Sequence, residues 1–150
     1  MFRNDRPFGQ PAGVALVSAA VTDTGGTRGE VRLVVPAAPE YLRLARLTAA
    51  GLASRLGFSY DEVEDLRIAI DELCFVLVGS HGRPGSITLV YSMSPDALVV
   101  EGSGAFPDKG PAFAGVSELS GQILAAVVDE HEVRAGQNGP TFRLRKRHAN

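Results

Sequence analysis

The sequence predicts an α+β domain of two layers, a mixed and mostly antiparallel sheet with three helices on one face. Three observations carry that expectation. Short segments of alternating apolar and polar residues bracket longer ones with helical spacing, in the order β-α-α-β-β-α-β-β. A proline start, a capping box and a glycine stop punctuate the helical segments. The length of 150 residues, with 45% hydrophobic and 21% charged residues, suits one globular domain with a real core.

Residues 1–29, rich in Gly, Thr, Asp and Ala, read as a flexible leader, and the domain proper as 30–147. Within the leader, Val14-Ala-Leu-Val17 forms either an added edge strand or a short helix. In the first domain strand, Glu30–Val35, Val31, Leu33 and Val35 alternate with Arg32 and stop at Pro36. Pro39-Glu40 opens a helix, since proline suits the first turn and an acid complements the positive dipole end. Leu44, Leu47 and Leu52, with the alanines between them, are expected to form its buried side, ending at Gly57. Ser59-Tyr-Asp-Glu62 is a capping box that starts a second helix running to about Val78. Its last residues, Leu73-Cys-Phe-Val-Leu-Val78, are wholly apolar, which predicts burial on most sides.

Strands Ser86–Met93 and Ala97–Glu101 follow, joined by Ser94-Pro95-Asp96. A Gly/Pro-rich loop is expected over Gly102–Gly115, then a third helix over about Val116–Val128. A last hairpin pairs His131–Ala135 with Thr141–Arg145 across Gly136–Gly139. In its second strand Phe142 and Leu144 face one way, and Arg143 and Arg145 the other.

Composition excludes several function classes. A net charge of −2, from fifteen basic and seventeen acidic residues, supplies no field for nucleic acid, and the run Arg143, Arg145, Lys146, Arg147 is too local to replace one. The single Cys74 forms no internal disulfide and reads as a core residue. His81, His131 and His148 lack metal-ligand spacing, so no metal is expected. Gly13–Val21 is too short to span a bilayer and lacks the marks of a secretory leader, so a cytoplasmic protein without membrane contact is expected.

Taken in order, several pieces resemble one family. Val31–Pro36, Pro39-Glu-Tyr-Leu-Arg-Leu-Ala-Arg46-Leu-Thr48 and Leu56-Gly-Phe-Ser-Tyr-Asp61 look like the opening of a bacterial anti-sigma factor of the serine-kinase (RsbW/SpoIIAB) type. Asp65-Leu-Arg-Ile-Ala-Ile-Asp-Glu72 is similar to its second helix, and Ile123–Val133 to its last helix entering the final hairpin. The resemblance covers about residues 30–147. It implies the ATPase fold of gyrase, MutL and histidine kinases (GHKL). It also implies a partner-switching stress regulator that sequesters a sigma factor and phosphorylates an anti-anti-sigma antagonist with Mg-ATP.

The family's ATP site can be compared residue by residue. Its second helix carries a general-base glutamate and, one turn on, an asparagine that helps hold Mg²⁺. Glu72 matches the first, but Val76 stands at the second and can ligate nothing. Its adenine-binding Asp-x-Gly-x-Gly corresponds to Glu101-Gly-Ser-Gly-Ala105. Gly102 stands where the aspartate belongs, Gly104 survives, and Glu101 is one residue out of register and so on the opposite face. Its phosphate-binding Gly-x-Gly corresponds to Glu118-Leu-Ser-Gly121, where Glu118 places negative charge against phosphate. The pattern is like the degenerate UsfX-like actinobacterial members. Glu72 is then a vestigial catalytic residue, in plain terms a rim carboxylate paired with Arg67 or Arg83 or hydrated, and no cofactor is expected.

The partner face is the other expectation. Arg43 and Arg46 lie three apart on one face of the first helix. By resemblance, Arg46 falls on the arginine for which sigma factor and antagonist compete, and its planar fork suits carboxylates. The alternative is an ordinary solvated helix face. The resemblance further implies a homodimer through a sheet edge. Two other readings stay open: an active serine/threonine kinase using Mg-ATP, and a sensor of another small ligand or nucleotide in the remodelled pocket.

Overall fold

The computed structural model describes residues 17–22, 29–108, 113 and 115–149. Val14–Leu16, part of the run left open between strand and helix, lie outside the described residues. A six-stranded sheet has the order β1-β2-β3-β4-β6-β5, from β1 (Ser18–Thr22), β2 (Gly29–Pro36), β3 (Ser86–Ser94), β4 (Ala97–Ala105), β5 (Glu130–Gly136) and β6 (Gly139–Arg147). Every pairing is antiparallel, which resolves the mixed sheet expected from sequence into a purely antiparallel one. A 3-10 turn (Pro39–Tyr41) leads into α1 (Leu42–Arg55), followed by α2 (Tyr60–Val78) and, after β4, α3 (Glu118–Val127).

Strand parity decides the layers. Along β2, β3, β4 and β6 the residues Leu33, Leu89, Gly102 and Phe142 are register partners in one row, and Tyr91, Val100 and Leu144 in the next. These positions are buried under the helices, with Ile87, Leu89, Leu98, Val100 and Leu144 fully so. The opposite parity carries Arg32, Glu101, Arg143 and Glu132, which cross the helix-free face and line a shallow concavity of about 630 Å³ there. Glu101 therefore points away from the helices, as its one-residue offset requires. Since β6 lies between β4 and β5, its arginines stand on a sheet face and not on an edge; the edges are β1 and β5.

Helix α2 is the centre of the second layer and touches α1, α3, β4 and β6. Its start follows the capping box: Ser59 Oγ accepts from Glu62 N–H at 3.2 Å, and Glu62 Oε1 accepts from Ser59 N–H at 2.8 Å. Phe58 and Val63, on either side of the cap, are both buried in the core. The C-terminal segment closes on the same corner. His148 stacks on Phe58 with ring centroids 5.3 Å apart, and its Nδ1 lies 3.1 Å from Glu62 Oε1. Ala149 N–H donates to Glu62 Oε2 at 2.7 Å. Partial burial would raise the Glu62 carboxyl, but the backbone donors Ala149 and Ser59, with His148, outweigh it and hold it down at about 2.

Two expectations about the helices need correction. The buried face of α1 is Leu42, Ala45, Ala49 and Ala53, whereas Leu47 is half exposed and Leu44 and Leu52 are only partly buried. Small residues let the helix approach closely: the Tyr91 hydroxyl, buried on β3, reaches the Ala45 carbonyl at 2.9 Å. Nor is the end of α2 buried all round. Leu73, Cys74, Leu77 and Val78 are buried, but Phe75 is 56% exposed. Cys74 is core as expected; burial first, then the Asp71 charge, pushes its thiol up to about 12.

Candidate functional site

The fourth turn of α2 brings Glu72 to the groove between α2 and α3. Ser117 caps α3 by accepting from Ser120 N–H at 3.1 Å, which turns the Ser120 side chain toward α2. Its hydroxyl donates to Glu72 Oε2 at 2.7 Å. That contact replaces the pairing expected with Arg67 or Arg83. Arg67 bonds Glu64 within α2, and Arg83 bonds Asp108, where its Nη2 reaches both the carboxylate (2.8 Å) and the carbonyl (3.1 Å). No ion pair to Glu72 exists among the described residues.

Glu72, Val76 and Ser120 form part of the wall of a cavity of about 580 Å³, completed by Phe75, Phe113, Val116, Pro140 and the turn after α2. Of the stretches compared with the ATP site, Glu72, Val76 and Ser120 line it; Gly102, Gly104 and Glu118 do not. Glu118 is exposed on the first turn of α3, where its charge complements the helix dipole and opposes any anion arriving there.

The two glycines are in a strand and not in the loop expected from Gly102 onward, because β4 continues to Ala105. Aromatic rings sit on both. A Cβ on Gly102 would stand 2.2 Å from Phe142 Cε2, and one on Gly104 would stand 2.1 Å from Phe106 Cε2. The Arg83 guanidinium covers the Phe106 ring at 3.7 Å from its centroid. The space beside these glycines is filled by the chain's own phenylalanines. Sequence reasoning missed both caps and Ser120. Gly102 and Phe142 carry the same inward parity, but only the register that places them side by side reveals the contact.

On the outer side, Arg46 reaches across the α1–α2 seam to Asp71 at 2.6 Å, while Arg43 is exposed and has no ion pair among the described residues. Leu47 and Ile68, 50% and 43% exposed, stand beside this pair on their own helices. The two candidate regions are thus separate: one between α2 and α3, one across α1 and α2. No group of three or more potential metal-ligating side chains occurs among the described residues, and none of the helices there is long and apolar enough to cross a membrane.

Sequence relatives point to one family. The chain is 33% identical over 137 residues to the serine-protein kinase RsbW of Bacillus pumilus, covering 77% of this chain and 84% of the relative. The chain belongs to the RsbW serine-protein kinase family. Shorter matches to RsbW of Bacillus subtilis and of Bacillus cereus strain B4264 are each 40% identical over 73 residues, about half of either chain (47% of this one, 46% of the relative). No protein-family model matches the sequence. Membership in the RsbW family confirms the resemblance drawn from the ordered motifs.

Proposed function

We propose that this RsbW-family member is an anti-sigma factor that sequesters a sigma factor, is released by an anti-anti-sigma antagonist, and has lost Mg-ATP chemistry. The observation that supports the loss best is the capping of Gly102 and Gly104 by Phe142 and Phe106, which leaves an adenine no approach to the strand. Val76 stands where the resemblance implies a metal ligand, and Glu118 opposes phosphate at α3. With the nucleotide chemistry set aside, the family role that remains is partner binding.

The binding surface in this reading is centred on Arg46. Asp71 holds the guanidinium in place without burying it, since the arginine side chain is 28% exposed. A partner carboxylate would share or displace that contact, while Leu47 and Ile68 supply apolar area beside it. The reading includes a homodimer through a sheet edge and a cytoplasmic location. Co-expression with a candidate sigma factor should yield a stable complex, and Arg46→Glu should weaken it by about 2 kcal/mol, roughly thirtyfold, if the arginine is a centre of the interface. A complex indifferent to Arg46→Glu and Arg46→Ala would refute the docking surface.

One observation favours a second reading. Glu72 lies 2.7 Å from a serine hydroxyl, the separation a general base needs from the hydroxyl it deprotonates. Together with the kinase name of the relatives, this keeps a serine/threonine kinase acting on the antagonist as the competitor. Phosphate transfer from Mg-ATP to an antagonist, abolished by Glu72→Ala, would decide for it.

A further inference from the structure

We infer that the cavity between α2 and α3 is a binding site for a small organic cation, an ammonium on an aromatic or hydrocarbon body, with the ammonium against Glu72. Charge gives the first argument. Among the described lining residues Arg83 and Asp108 neutralise each other at 2.8 Å, and Arg83 is further engaged by the Phe106 ring. His81, also on the wall, makes no ion pair among the described residues, and neither does the Glu72 carboxylate. Ser120 orients one of its oxygens and leaves the other with no hydrogen bond among the described residues.

The walls give the second argument. Phe75, 56% exposed, lines the cavity, and Phe113, Val76, Val116 and Pro140 continue the apolar lining. A carboxylate beside exposed aromatic rings is the combination that recognises ammonium groups, through an ion pair at one end and cation–π and apolar contact along the body. The volume of about 580 Å³ fits a small molecule and exceeds what a solvent ion would need. Anionic ligands meet the opposite conditions: no uncompensated arginine or lysine lines the described wall, and Glu118 stands on the adjoining first turn of α3. Nucleotides are disfavoured twice, by charge and by the rings over Gly102 and Gly104.

The test uses the full chain and three probes: 2-phenylethylammonium, its anionic counterpart phenylacetate, and Mg-ATP. Titration calorimetry, with amide chemical shifts of residues 72–79 and 115–120 as the locator, should show binding of the ammonium probe. Affinity for it should exceed that for phenylacetate by about tenfold or more, the worth of one charge-assisted contact. Glu72→Gln, which keeps an oxygen for Ser120, should remove that preference. Phe75→Ala, at an exposed position that leaves the core intact, should weaken binding of the ammonium probe. Equal affinity for cation and anion, a preference that survives Glu72→Gln, shifts outside the α2–α3 groove, or no binding at millimolar probe would each overturn the inference. None of these outcomes bears on sigma-factor capture, which rests on the α1–α2 face.

Discussion

Gly102→Ala isolates the contact that closes the strand to a base. Glycine in a strand interior is ordinarily a weakness, because an added methyl restricts the unfolded chain and stabilises the fold by about 0.4–1 kcal/mol where the backbone permits it. Gly102 has no positive φ, so its backbone permits alanine. Space does not. The new Cβ would lie 2.2, 2.5 and 2.8 Å from three atoms of the Phe142 ring, and that ring is 3% exposed with little room to swing. Overpacking of this kind costs about 1–3 kcal/mol, which outweighs the entropic gain. The net expectation is a loss of about 1–2 kcal/mol, or a fall in Tm of about 2–8 °C for a chain of this length. The chain has no tryptophan, so urea unfolding is best followed by far-UV circular dichroism. In a Phe142→Leu background the ring is gone and the same Gly102→Ala change should become neutral or stabilising. A stabilising Gly102→Ala in the parent, or an equal cost in both backgrounds, would refute the capped-glycine account.

Other expectations can be checked on the same variants and assays. Glu62 has its carboxyl lowered from 4.5 to about 2, so the stability it contributes is present above the unfolded value and is lost as pH falls from about 4.5 toward 2; Glu62→Gln should be less stable at pH 7 and flatter over that acid window. Ser120→Ala should cost about 1 kcal/mol by leaving Glu72 without its hydroxyl donor, and should loosen hydrogen-exchange protection at the start of α3. Cys74 should resist thiol reagents in the native state and react only on unfolding, since it is fully buried and its thiol is pushed up to about 12. Val76→Asn should fail to restore Mg-ATP binding in calorimetry, because the ligand it returns does not reopen the strand under Phe142 and Phe106.

The sequence made the elements legible where local chemistry dictates them. The Ser59–Glu62 box, the alternation of Phe142 and Leu144 with Arg143 and Arg145, and the final hairpin all depend on neighbours within a few residues, and the structure keeps them. What it concealed depends on packing between distant segments. Large leucines outweighed alanines in the reading of α1, yet close approach to β3 selects Ala45, Ala49 and Ala53 for the interior. Glycine content suggested a loop after Glu101, but Phe142 of the neighbouring strand and Phe106, two residues on, supply the side-chain bulk that Gly102 and Gly104 lack, so the strand persists. The partner of Glu72 was equally hidden, forty-eight residues away in Ser120 on a helix whose placement follows from the whole sheet.

The central claim is that this member of the RsbW family binds partners without using Mg-ATP. Titration calorimetry of Mg-ATP into the purified chain, alone and with the sigma factor it captures, tests that claim most directly. The account predicts no binding at millimolar nucleotide and a sigma-factor complex of unchanged affinity. Micromolar binding, followed by phosphate transfer to an antagonist that Glu72→Ala abolishes, would contradict it.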